Sequence, residues 1–283
     1  MGAKLMILRS LWTNGFDLDA ALAECAEGLF DGVEGPVPAA ARARREFAAK
    51  LADAGVPFVA EIATGGGYVP AGTPPEAHLE DFRRIAAGTL SCSPVFVTAL
   101  AGSDAWAPAR SVEFLGLAME AARVLGVDAS FETHRGRPTY SPWATRHLLE
   151  QLPGLRITCD FSHWCCVCER LVLEEEPGIL RLCAARARHI HARVGYPQGP
   201  QVPHPAAPEF GTALAAHERW WDAVWSAQSG PEVPTMTPEF GPDGYLHEAP
   251  FTGTPASSLD EINRWMAARQ RARHARRSEG AAP

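Results

Sequence analysis

Carboxylate, imidazole and guanidinium side chains recur in this sequence at one kind of place, the end of a short β-rich run. Glu34 lies in the run Gly32 to Gly35, Glu61 near the end of Val56 to Ile62, and Glu132-Thr133-His134-Arg135 ends Val127 to Glu132 and continues past it. Asp160 ends Leu155 to Asp160 with His163 just after, His191 and Arg193 fall within His189 to Val194, and Glu239 lies near the end of Thr235 to Phe240. Carboxylates and imidazoles at the ends of buried strands are costly unless something satisfies them, and a divalent cation does so for several at once. Three carboxylates with one histidine make a workable set. Mixed oxygen and nitrogen ligands suit Mn2+ first, with Mg2+, Co2+ or Zn2+ as alternatives, whereas a site without thiolates disfavours Cu(I) and iron-sulfur clusters.

The elements that must position these groups alternate along the whole chain. Strand-like runs Leu5 to Trp12, Gly32 to Gly35, Val56 to Ile62, Pro94 to Leu100, Val127 to Glu132, Leu155 to Asp160, His189 to Val194 and Thr235 to Phe240 are each followed by a helical pattern. Asp17 is placed to cap the helix through Leu18, Ala21, Leu22, Cys25 and Leu29. Helices are expected over Pro38 to Ala54, Pro75 to Ala87 and Val112 to Leu125, from Ser141-Pro142 onward, within Glu174 to Arg186, and near Ala213 to Gln228. The last opens at a capping box, Ser258 with Glu261. Eight strand-helix units without a composition break predict one (β/α)8 TIM barrel over residues 1–268. Residues 269–283 are expected to be an arginine-rich C-terminal tail, the solvated last turns of the final helix with a frayed end. No Gly-x-Gly-x-x-Gly opens a helix, and Gly65 to Gly67 reads as a flexible loop.

Composition narrows the function classes. With 283 residues, 46% apolar and 21% charged, the chain can bury a core, and no apolar run is long enough to span a membrane or resemble a secretion leader. A cytoplasmic protein is expected. Seven cysteines are read as reduced thiols, and the Cys165-x-x-Cys168 spacing has no second pair to complete a zinc site. A net charge of -7, despite five arginines between Arg269 and Arg277, argues against a nucleic-acid surface. The only lysines are Lys4 and Lys50, neither at a strand end, which removes Schiff-base chemistry.

Taken in order, Asp31-Gly32-Val33-Glu34, Phe131-Glu132-Thr133-His134, Cys159-Asp160-Phe161-Ser162-His163, His189-Ile190-His191 and Pro238-Glu239-Phe240-Gly241 resemble the xylose isomerase-like TIM barrel superfamily. That superfamily includes sugar isomerases, ketose 3-epimerases, inosose dehydratases and endonuclease IV. The resemblance implies one divalent metal held by Glu132, Asp160, His191 and Glu239, and acid-base roles for Glu132 and Glu239. It implies a metal-dependent isomerase or epimerase of carbohydrate metabolism, acting on a ketose, a polyol-derived ketone or a sugar acid through a metal-stabilised enediolate. An inosose-like dehydratase on the same site and a non-catalytic sugar-binding barrel are the alternatives. His163 is implied as a substrate or metal contact.

Further substrate contacts are expected from His134, Arg135 and Arg193, the arginines being placed to clamp a hydroxyl or carboxylate. Trp12 is read as an apolar lid or as packing, and Glu34 and Glu61 as hydroxyl contacts or structural hydrogen bonders. His189 is read as a core or supporting histidine. Pro197 stands where ketose 3-epimerases carry an arginine six positions after the ligand histidine, so the exact substrate is not inherited. Phosphorylated substrates are disfavoured, since the loops after strands seven and eight lack a glycine-rich helix start. A three-metal nuclease would need more histidines and a basic groove. The partner expected is a small carbohydrate, with no nucleic acid and no membrane. Trp220, Trp221 and Trp225 are read as core or as the contact of a homo-oligomer.

Overall fold

The computed structural model describes residues 4–67, 72–228, 232–242 and 244–280, with side chains through 278. Eight parallel strands close in sequence order: β1 (Met6–Ser10), β2 (Gly32–Pro36), β3 (Phe58–Ala63), β4 (Phe96–Leu100), β5 (Ala129–Glu132), β6 (Ile157–Cys159), β7 (Ala187–Ala192) and β8 (Thr235–Pro238). β1 pairs with both β2 and β8, which makes the sheet a barrel, as the alternation predicts. Helices α1 (Leu18–Ala26), α2 (Ala41–Ala54), α3 (Pro75–Thr89), α4 (Pro108–Leu125), α5 (Pro142–Gln151), α6 (Ser162–Val167), α7 (Pro177–Arg186), α8 (Gly211–Ala227) and α9 (Leu259–Gly280) cover its outside. The short α6 is the addition to the expected order.

Local chemistry explains the starts and stops. Asp17 Oδ1 accepts from Ala20 N at 3.0 Å, Ser141 Oγ from Ala144 N at 3.2 Å, and Ser258 Oγ from Glu261 N at 3.3 Å, so the three predicted caps form. Proline opens α3, α4, α5 and α7, where its missing N–H costs nothing. α2 stops at Gly55, whose φ of 64° a Cβ-bearing residue would resist.

The strands alternate, and the alternation is unusual in its chemistry. Ile7, Val33, Ala60, Val97, Phe131, Ile157, Ile190 and Met236 belong to the core shared with the helices. The intervening positions point into the barrel, and many are polar: Thr98, Ser130, Thr158, His189 and Thr237 are all fully buried. They satisfy one another, with Thr98 Oγ1 donating to Thr158 Oγ1 at 2.8 Å and Ser130 Oγ 2.7 Å from the same atom. Leu8, Val59 and Phe96 form a separate apolar plug within the barrel. A polar lumen above an apolar plug is a suitable place for a polar site.

α9 departs from expectation. Its helix runs unbroken to Gly280, and Arg269, Arg271, Arg273 and Arg277, expected to be solvated, are ion-paired to the rest of the molecule; residues 281–283 lie outside the described residues. Arg269 Nε lies 2.6 Å from Glu218 Oε1, Arg271 Nη1 2.8 Å from Asp31 Oδ2, and Arg273 Nη2 2.9 Å from Asp222 Oδ2. Buried Arg9 completes the attachment, reaching Glu24 of α1 at 2.6 Å and Asp260 of α9 at 2.7 Å. Trp220, Trp221 and Trp225 are buried in this core. All seven cysteines are free, and none joins a group able to hold a metal among the described residues. No described helix is long and apolar enough to cross a membrane.

Candidate metal centre

The four implied ligands converge. One donor atom each from Glu132, Asp160, His191 and Glu239 lies within 4.8 Å of the other three, and all four residues are buried. Each comes from the end of a different strand, β5 to β8, so the closed barrel and not any single segment assembles them. The local supports are specific. Ser162 N donates to Asp160 Oδ1 at 3.0 Å and Ser162 Oγ donates to the same oxygen, while Thr133 Oγ1 donates to the Asp160 carbonyl at 2.7 Å. Thr139 Oγ1 donates to the Glu132 carbonyl, and Trp164 Nε1 donates to the Thr139 carbonyl at 2.9 Å, which ties β5 to α6.

His191 is oriented from behind. Its Nε2 donates to Glu34 Oε1 at 2.9 Å, and a carboxylate can only accept, so the ring proton on that side is fixed. Nδ1 faces the acids, 3.1 Å from Glu239 Oε2 and 3.4 Å from Glu132 Oε1, yet makes no well-aligned hydrogen bond. A carboxylate behind an imidazole whose other nitrogen is bare is the arrangement metal-bound histidines use. Glu34 is thus placed as a hydrogen-bond partner of both histidines. Burial opposes its ionisation, but His191 and His189 outweigh that and hold its pKa low. His189 Nε2 is 3.1 Å from Glu34 Oε2, a supporting histidine as read from the sequence.

Arg193 enters the same cluster. Its Nη2 donates to Asp160 Oδ2 and, at 3.1 Å, to Glu239 Oε2. Burial disfavours its charge, but Asp160 and Glu239 more than compensate and raise its pKa. One guanidinium set against three buried carboxylates leaves negative charge for a dication to neutralise. Burial raises the pKa of Glu132, whereas Glu239, equally buried, is held low by His191 and Arg193. The donor set, its charge and the bare Nδ1 fit a divalent ion. Glu132, His134 and His163 form a second close set, but Arg193 Nη2 donates to His163 Nε2 at 3.1 Å, which places a fixed positive charge there already.

Above the quartet is a cavity of about 10 Å3, lined by Trp12, Glu61, Leu100, Glu132, His134, Arg193, Glu239 and Tyr245. Of the expected substrate contacts, Trp12, Glu61, His134 and Arg193 therefore reach it. His163 is buried beside Arg193, Arg135 sits half-buried over Tyr245, and Glu34 does not line the cavity. Burial together with Glu239, Glu34 and Glu132 pushes the pKa of Glu61 up to about 8. His134 Nδ1 donates to the Arg135 carbonyl, leaving Nε2 as an acceptor 3.4 Å from Tyr245 Oη.

Two residues of this rim escaped the sequence reading. Tyr245 packs edge-on against Trp12 at 5.5 Å, and its position in the loop after β8, where barrels of this kind keep site residues, was the available signal. Arg137 donates to the carbonyls of Thr64 at 3.0 Å, Gly102 at 2.9 Å and Gly67, clipping together the loops after β3, β4 and β5. Burial lowers its pKa to about 10.

Solved structures share this architecture. The chain superposes on a D-allulose 3-epimerase of Methylomonas sp. with a TM-score of 0.61 at 13% identity, covering 95% of this chain and 99% of that one. It superposes on endonuclease IV of Thermus thermophilus at 0.58 and 15% identity, covering 96% and 98%. The probable 3-DHS dehydratase AsbF of Bacillus anthracis gives 0.58 at 12% identity, covering 94% and 98%. At such identities the likeness is one of fold. No curated protein matches the sequence. With that family's model matching residues 21–212, the chain belongs to the xylose isomerase-like TIM barrel family.

Proposed function

We propose that the protein is a divalent-metal-dependent sugar isomerase or epimerase acting on a ketose, a polyol-derived ketone or a sugar acid. The observation that carries this reading is the convergence of Glu132, Asp160, His191 and Glu239, with His191 Nδ1 facing the acids. Mn2+ is the first choice of ion. When bound, the ion would polarise adjacent hydroxyl and carbonyl oxygens of a sugar and make the neighbouring C–H acidic.

The chain's own residues supply the rest. Glu132 and Glu239 come from β5 and the end of β8, so they approach the cavity from separate sides and can take a proton at one face of a planar intermediate and return it at another. Their unequal surroundings suit unlike roles: Glu132, with its pKa raised, holds a proton more readily, and Glu239 is the readier base. Trp12 offers an apolar face to a sugar ring, and Tyr245 with Trp12 excludes water from a space about one water in volume.

One observation favours the dehydratase alternative. Glu61 lines the same cavity from β3, opposite β7 in the barrel, and its burial favours the protonated form. Elimination needs such a donor for the departing hydroxyl, which leaves as water while the base takes the proton on the adjacent carbon.

The test is proton NMR in D2O of manganese-loaded protein with ketoses, inososes and sugar acids. Deuterium should enter at the carbon beside the carbonyl, and Glu239→Gln should slow that entry by about 100-fold or more while the protein stays folded. Epimer or isomer formation supports the first reading and an unsaturated, dehydrated product the second. Exchange unchanged in Glu239→Gln would contradict both.

A further inference from the structure

Beside the acids, around Tyr245, lies a second group of polar side chains. Arg193 Nη2 shares its two hydrogens among Asp160, Glu239 and, at 3.1 Å, His163 Nε2, and a guanidinium has only hydrogens to offer, so in that contact Nε2 supplies the lone pair and the ring proton sits on Nδ1. That Nδ1–H is buried without an acceptor, and so is Arg193 Nη1. Buried donors lacking acceptors are costly and call for an oxygen from elsewhere. Arg135 adds a third donor group. It forms no ion pair among the described residues, and its guanidinium lies 5.0 Å from the Tyr245 ring, on which Arg193 also converges at 4.5 Å.

We propose that the substrate carries a carboxylate, bound by Arg135, Arg193 Nη1 and His163 Nδ1–H at the place Tyr245 now fills. The proposal deepens the sugar-enzyme reading and rests on it for the rest of the substrate, selecting the sugar acid among its classes. Two arginines and a ring N–H suit a planar, doubly accepting anion. A neutral polyol would leave the Arg135 charge and both buried donors poorly matched. Since the cavity holds about one water, Tyr245 must yield when the anion enters.

The experiment titrates manganese-loaded protein with D-gluconate, sorbitol and sorbitol 6-phosphate by calorimetry, with metal content assayed in the same samples. Gluconate should bind about tenfold or more tighter than sorbitol, and Arg135→Gln should remove most of that advantage. Arg135→Lys, which keeps the charge but not the fork, should retain part of it. Sorbitol binding as well as gluconate, an advantage that survives in Arg135→Gln, or no binding of any of the three would overturn the proposal. Tightest binding of sorbitol 6-phosphate would overturn the carboxylate in favour of a phosphate. Gluconate keeping its Arg135-dependent advantage in protein that takes up no metal would uphold this inference and sink the metal reading instead.

Discussion

The carboxylate of Glu34 accepts from His191 Nε2 at 2.9 Å and is approached by His189 and Thr237, which places it to hold the ring of that proposed ligand and its proton in place. Removing its charge should loosen metal retention while leaving the four ligands intact. Glu34→Gln is expected to weaken metal affinity by about tenfold or more, read by competition with a chelator; wild-type affinity in the variant would show that the ring needs no such support. At this scale the sequence was informative wherever a residue ends a strand, because the barrel aims strand ends at one point. Glu132, Asp160, His191 and Glu239, picked out as strand-end residues, converge for that reason. Glu34 was visible as a site residue, but its choice between substrate and support depends on His189 and His191, more than 150 positions away along the chain. Arg137 was not legible, since it meets backbone carbonyls of three loops and carbonyls leave no mark in a sequence.

Between residue and barrel, the loop after β7 is held by α8. His217 Nε2 accepts from Gly195 N at 3.2 Å, and its Nδ1 donates to the Ala213 carbonyl at 2.9 Å, which places the chain just past Arg193. Gly195 tolerates no side chain there, since a Cβ would stand 2.4 Å from the Ser162 carbonyl oxygen. Burial lowers the His217 pKa from 6.5 to about 4, although its bond to the Ala213 carbonyl opposes the change. Between those values only the unfolded chain takes up a proton at this position, so His217 contributes stability above pH 6.5 that is lost as the pH falls toward 4. Gln does not titrate. In urea unfolding, the stability difference between wild type and His217→Gln should therefore move against the wild type by at most about 3 kcal/mol over that interval. A difference independent of pH would mean that His217 is not kept neutral. Strand and helix order was legible because the outward face of each strand is apolar while its inward face turns polar near the site. The short α6 was not, being a six-residue turn whose position is set by Asp160 and Ser162.

At the scale of the molecule, α9 closes the barrel through ion pairs to Glu24, Asp31, Glu218 and Asp222, which composition alone presents as a basic, solvated end. Its partners lie far off in sequence, so nothing local announces them. Truncation after Ala268 would strip Arg269, Arg271 and Arg273 from buried or half-buried acids and should cost about 3 kcal/mol or more, seen as a lower urea midpoint. A frayed tail would be removable without loss. The closed barrel is also what assembles the candidate metal centre, since four separate strands each bring one donor residue to it. The most direct test is elemental analysis of purified wild-type protein beside the double variant Asp160→Ala, His191→Ala. About one equivalent of manganese, cobalt, zinc or magnesium is expected in the wild type and none in the variant. A wild type without metal even after reloading, or equal metal in both proteins, would contradict that expectation.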